Sequence, residues 1–104
     1  MSMKTRFEWS LTKAESNLRK HGVSFETARL VFSDPFAIIE QDRIVNGELR
    51  CQALGVVEGY LLLLVAHTER EDEDGAEVIR IISARRAEPK ERKRYERNYS
   101  SMRG

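Results

Sequence analysis

The sequence predicts an α+β domain: a short N-terminal strand and two helices, then an antiparallel four-strand meander, then a C-terminal helix. Three observations predict it. Apolar residues recur at three- and four-residue spacing from Leu11 to Phe32. Turn signals then cut Phe36 to Ala84 into strand-sized apolar runs. Pro89 stands after the last strand, where proline suits the first residue of a final helix running towards Met102. A chain of 104 residues is expected to form one domain, residues 1–104, around one core, with the helices set apart from a twisted sheet.

The first strand candidate is Thr5 to Trp9. Ser10 or Thr12 caps the helix that follows, whose expected buried stripe is Leu11, Ala14, Leu18 and His21. Gly22 sits where a helix needs a left-handed C-terminal residue. Ser24 caps a second helix, with an apolar stripe of Phe25, Ala28, Val31 and Phe32. Asp34-Pro35 ends it, because proline disfavours helical geometry in the residue before it. Phe36 to Arg43 is the next strand, and Asn46-Gly47 is a strong hairpin signal. Leu49 to Val57 follows, then Glu58-Gly59 as a second tight turn. Tyr60 to His67 is almost wholly apolar, which suits a central strand covered on both faces. An acidic loop, Glu71-Asp72-Glu73-Asp74-Gly75, leads to a last strand from Glu77 to Ala84. The final helix runs from Pro89 towards Met102.

Formal net charge is +1, but the charges are segregated. Met1 to Ile39 carries +2, Glu40 to Glu77 carries −7 and Val78 to Gly104 carries +6. A basic C-terminal quarter can form a positive face for phosphates within a near-neutral protein. No apolar run approaches the ~20 residues of a membrane span, so no membrane partner is expected. The start, Met1-Ser2-Met3-Lys4, has no apolar signal segment behind it. The single cysteine, Cys51, has no internal disulfide partner and fits a reducing cytoplasm.

His21 lies at the C-terminal end of the first helix, where the helix dipole favours its protonated form. A poised imidazole suits attack on a phosphodiester. The competing role is a histidine that caps the last carbonyls and packs behind Leu18. In the last strand, alternation puts Arg80, Ile82, Ala84 and Arg86 on one face and Ile79, Ile81, Ser83 and Arg85 on the other. Guanidinium groups clamp phosphate oxygens in two-point contacts, so Arg80 and Arg86 on an open face would form a phosphate-sized site. Arg85 joins it if the strand bulges there. Tyr95 is a candidate to stack on bases or move protons, and Lys90, Lys93, Arg94 and Arg97 spread over the rest of the final helix. Tyr95 and Tyr99, at i and i+4, also suit docking of that helix on the sheet. His67 and Glu69 project from one strand face, as an acid–base pair or an ion pair. The acidic loop lacks the spaced ligands of a calcium loop. No Cys and His cluster for zinc, no glycine-rich phosphate loop and no nucleophile elbow is seen, so neither metal nor cofactor is expected.

Two stretches of the chain resemble the BrnT family, the toxins of bacterial type II toxin–antitoxin pairs. The first is Phe7-Glu8-Trp9 through Lys13-Ala14, Asn17 and Lys20-His21-Gly22-Val23-Ser24-Phe25-Glu26 to Ala28, Phe32 and Asp34-Pro35. The second is Arg80-Ile81-Ile82-Ser83-Ala84-Arg85-Arg86-Ala87, with Glu91, Arg92 and Tyr95 after it. Gly47-Glu48, Arg50, Ala53-Leu54-Gly55 and His67-Thr68 fit between them. The acidic loop is longer and more acidic than the family pattern suggests.

The resemblance implies a RelE-like ribonuclease fold, toxicity by RNA cleavage with inhibition of translation, and neutralisation by a BrnA-like antitoxin. Such antitoxins carry a ribbon-helix-helix end, so operator DNA would be bound only through the antitoxin. On this reading the chain is a metal-independent cytoplasmic endoribonuclease. His21 is expected as acid or base, Arg80, Arg85 and Arg86 on phosphate, Lys20 and Tyr95 in support, and Lys90, Lys93, Arg94 and Arg97 on RNA. The rival readings are a nucleic-acid-binding module that does not cut and a partner protein that only binds an antitoxin, for which the acidic meander is suited.

Overall fold

The structure is a computed structural model that describes residues 4–103. The expectation about the Met1–Met3 start lies outside the described residues. The element order is β1 (Thr5–Glu8), α1 (Leu11–His21), α2 (Phe25–Ala28), a 3₁₀ turn (Arg29–Ser33), β2 (Ile38–Val45), β3 (Glu48–Val57), β4 (Leu61–Glu71), β5 (Glu77–Arg86) and α3 (Pro89–Arg103). The punctuation acts as expected. Ser10 accepts a hydrogen bond from the Lys13 N–H, Ser24 accepts one from the Thr27 N–H, and Gly22 ends α1 at a φ of 70°. Asn46-Gly47 makes the hairpin turn with positive φ at both residues, the twist that a two-residue hairpin needs.

The sheet has five strands in the order β1-β5-β4-β3-β2. β2 to β5 form the expected antiparallel meander, but β1 adds to it, parallel to β5, so the sheet is mixed rather than four-stranded and antiparallel. β4 is central, as its continuous apolar run requires. Its alternate residues feed two different cores.

On one face α1, α2 and the 3₁₀ turn bury Phe25, Ala28 and Val31 against Ala53, Leu63, Val65, Ile81 and Ala84. Gly55 lets the 3₁₀ turn approach this closely: a Cβ there would lie 2.9 Å from a Val31 methyl. On the opposite face Tyr95 and Tyr99 of α3 pack with Leu54, Leu62, Leu64 and Phe36. The helices therefore cover both faces of the sheet.

The stripe expected for α1 is only half right. Leu11 and Leu18 are exposed, while Ala14, Asn17 and His21 turn inward. The reason lies in β5. β1 stops at Glu8, opposite Arg80, and leaves the next part of the β5 edge unpaired. Asn17 fills the gap: its side-chain amide accepts from the Ala84 N–H (3.1 Å) and donates to the Ala84 carbonyl (2.9 Å) and the Val23 carbonyl (3.0 Å). A buried strand edge must find partners, and one amide supplies both kinds.

Candidate functional site

Cross-strand partners share a face, and the register aligns Arg43, Arg50, Thr68, Arg80 and Glu8 in one row across all five strands. The row lies on the α3 side of the sheet, outside the apolar patch where Tyr95 and Tyr99 dock. Thr68 is buried, and Arg50 and Arg80 are half-buried on either side of it. Two strand spacings put the backbones of Arg50 and Arg80 about 10 Å apart, within reach of one phosphate for two arginine side chains.

Simple alternation along β5 fails at Ile82. Ala66 pairs with Ser83 but His67 pairs with Ile81, so Ile82 is an extra residue, a β-bulge. The phase of the strand flips there. Arg85 opposes Leu64 of the α3-side core and shares the face of Arg80. Arg86 opposes Leu63 of the other core and points to the face of α1 and α2. The expected pair of Arg80 with Arg86 is thus replaced by Arg80 with Arg85, and Ser83 stands between them on the same face.

These arginines differ in how they are held. Glu8 accepts from Arg70 (3.0 and 3.1 Å) and Arg80 (3.2 Å). Its carboxyl is held below the usual range by the Arg70 hydrogen bonds first and Arg80 after them, against the opposing effect of burial. Arg85 makes a two-point contact with Glu91 (2.9 and 2.8 Å), and Glu91 also accepts from the Glu88 N–H at the start of α3 (2.8 Å). This is one half of a capping box joined to an ion pair. Arg85 pulls the Glu91 carboxyl down and Glu91 pulls the Arg85 guanidinium up. Arg85 therefore fastens α3 to the end of β5. Arg50 is the contrast: its Nε is buried and has no hydrogen-bond acceptor among the described residues.

The remaining expected residues are distributed elsewhere. His21 is half-buried and Lys20 exposed at the end of α1, on the side of Arg86 and across the sheet from Arg80 and Arg85. Among the described residues, no side-chain hydrogen bond or ion pair joins His21 to any of the three arginines. Tyr95 is buried, and its hydroxyl donates to Asp34 (2.6 Å). Burial, and then the Asp34 contact, push the phenol well above its ordinary range. Asp34 also accepts from the Phe36 N–H (2.9 Å) and the Val56 N–H (2.8 Å), so it ties the first turn of the meander to β3 and α3. Lys90, Lys93 and Arg97 are exposed along α3, and Arg94 pairs with Glu40 of β2. In the acidic loop Asp72 and Asp74 both pair with Arg6.

Arg50, Asn17 and Asp34 carry more of this arrangement than their sequence context suggests. Arg50 could be found only from the register of β3 on β4. Asn17 had one available signal, a polar residue inside an otherwise apolar helical stripe.

The structure also brings together one cysteine and one histidine that are far apart in the sequence. Cys51 and His67 are cross-strand partners, and Glu69 lies two residues beyond His67 on the same face. One ligand atom from each lies within 4.8 Å of the other two. His67 is fully buried, its Nε2 lies 2.8 Å from Glu69, and the Phe32 ring stands edge-on to it at 4.8 Å.

Comparison with known proteins bears on what this arrangement does. The family model described as the ribonuclease toxin BrnT of type II toxin–antitoxin systems matches residues 9–91. The crystal structure of the Brucella abortus ribonuclease toxin BrnT is similar, with 25% sequence identity and a TM-score of 0.56. The match covers 84% of this chain and 99% of that one. No curated protein matches the chain.

Proposed function

The chain belongs to the BrnT family of type II toxin–antitoxin ribonuclease toxins, and from that premise we propose that it is an endoribonuclease that cuts RNA on the arginine row of the sheet. The row Arg50–Thr68–Arg80, next to Ser83 and Arg85, is the observation that supports this reading most directly. Half-buried guanidiniums at Arg50 and Arg80, side by side across Thr68 on the part of the sheet that α3 leaves open, are suited to bind an anion.

In this proposal Arg50 and Arg80 bind the scissile phosphate. The ribose 2′-hydroxyl gives its proton to water and attacks that phosphate; its O–P bond forms as the bond to the 5′-oxygen breaks, the leaving oxygen takes a proton from water, and the products carry a 2′,3′-cyclic phosphate and a 5′-hydroxyl. The arginines stabilise the charge that builds on the phosphorane, so the rate comes chiefly from electrostatics fixed in advance. Arg85 is a positioning residue that acts through Glu91, and Tyr95 positions α3 through Asp34. Lys90, Lys93 and Arg97 on α3 extend the positive surface for flanking nucleotides. His21, Lys20 and Arg86 lie on the other side of the sheet and take no part in this phosphate step. In the cell we propose that cleavage inhibits translation in the cytoplasm. A BrnA-like ribbon-helix-helix antitoxin would neutralise the chain and carry the complex to operator DNA.

The test is incubation of purified protein with total RNA, followed by mapping of 5′-hydroxyl ends. New 5′-hydroxyl ends that vanish in Arg80→Ala and Arg50→Ala but persist in His21→Ala support the assignment. Loss in His21→Ala alone moves the site to the other side of the sheet. Intact RNA with a salt-sensitive mobility shift would make the chain a binding module. Growth arrest on induction, relieved by a co-expressed ribbon-helix-helix partner, tests the cellular reading.

A further inference from the structure

Cys51, His67 and Glu69 lie on the face covered by α1, α2 and the 3₁₀ turn, away from the arginine row, and the proposed RNA chemistry uses none of them. We propose that they form a zinc site. The three donor types are those zinc takes: thiolate sulfur, imidazole nitrogen and carboxylate oxygen, at about 2.3, 2.0 and 2.0–2.2 Å from the ion. Around a tetrahedral ion with such bonds, donors stand about 3.5 Å apart. The three ligand atoms already lie within 4.8 Å of one another. Cys51 and His67 are held by the β3–β4 ladder, and Glu69, with a third of its side chain exposed, gives up its 2.8 Å contact with His67 Nε2 to admit the ion between them.

The surroundings of His67 fit the same role. Its Nε2 points at Glu69, into the cluster, and its Nδ1 faces the Val65 carbonyl at 3.4 Å. A metal-bound imidazole commonly donates its other N–H to a carbonyl, which sets its tautomer and orientation. Phe32 packs edge-on against the ring and limits its rotation. On binding, the ion replaces the proton of the Cys51 thiol, which is released to solvent. A water on the Glu69 side, where the cluster meets solvent, completes the fourth position. The site ties β3 to β4 beneath the 3₁₀ turn, so its expected role is to stiffen the sheet rather than to cut RNA.

The test uses tag-free full-length protein stripped of metal, then titrated with Zn²⁺ and separately with Co²⁺. One ion per chain, with a cobalt–thiolate charge-transfer band, is expected. Cys51→Ser should remove the band, and Glu69→Gln, at the exposed edge, should weaken zinc binding by about tenfold or more. Folded wild-type protein that gives no cobalt–thiolate band overturns the proposal. So does a zinc affinity that is the same in wild type, Cys51→Ser and Glu69→Gln.

Discussion

One face of the sheet is sealed and the other is half open. On the first, α1, α2 and the 3₁₀ turn close over Phe25, Val31, Leu63 and Ile81. On the second, α3 covers Leu54, Leu62 and Leu64 with two tyrosines and stops short of a row of arginines. The difference separates two demands on one sheet. Stability comes from removing apolar area from water, which the sealed face does continuously. Binding an anion needs cationic groups that folding has placed but not fully neutralised, and these can stand only where no helix covers them.

The largest effect should come from breaking the sealed face. Phe25→Ala is expected to cost about 3–5 kcal/mol, read as a shift of the urea midpoint with little change in slope. A loss below about 1 kcal/mol would mean that the helix layer is not the principal core.

Next is the open face. Arg80→Ala should lower RNA cleavage by about 10² or more while changing stability by less than about 1 kcal/mol, because the Glu8–Arg80 pair is partly exposed and Glu8 keeps its two bonds to Arg70. Parallel losses of activity and stability would erase the division between the faces.

Tyr95→Phe sharpens the boundary between them. It removes the hydroxyl held by Asp34 and should cost about 1–3 kcal/mol, with cleavage kept within a few-fold of wild type. Lost cleavage at unchanged stability would return Tyr95 to the catalytic group.

The smallest effect concerns acid. Arg85 holds the folded-state pKa of Glu91 below its ordinary value of 4.5. The pair therefore adds stability above about pH 4.5, and that stability is lost as pH falls through the lower folded value. Glu91→Gln should flatten this part of the acid limb by less than about 1 kcal/mol, since Arg85 is a third exposed. An unchanged acid limb would show that α3 is held by its tyrosines alone.

The sequence by itself determined the elements and their punctuation. Ser10, Gly22, Ser24, Asp34-Pro35, Asn46-Gly47 and Pro89 act through local backbone preference, which needs no distant partner, so strand, helix and turn could be read in order. The apolar run after Tyr60 likewise announced a central strand. What only the tertiary structure decided was how these elements meet. The unpaired edge of β5 turned Asn17 inward in place of Leu11 and Leu18. A single bulge at Ile82 exchanged Arg86 for Arg85 on the face of Arg80. The β3–β4 register set Arg50 beside Thr68 and Cys51 beside His67. Each outcome depends on residues far apart in the chain, and a side-chain period of two means that one inserted residue reverses every face beyond it.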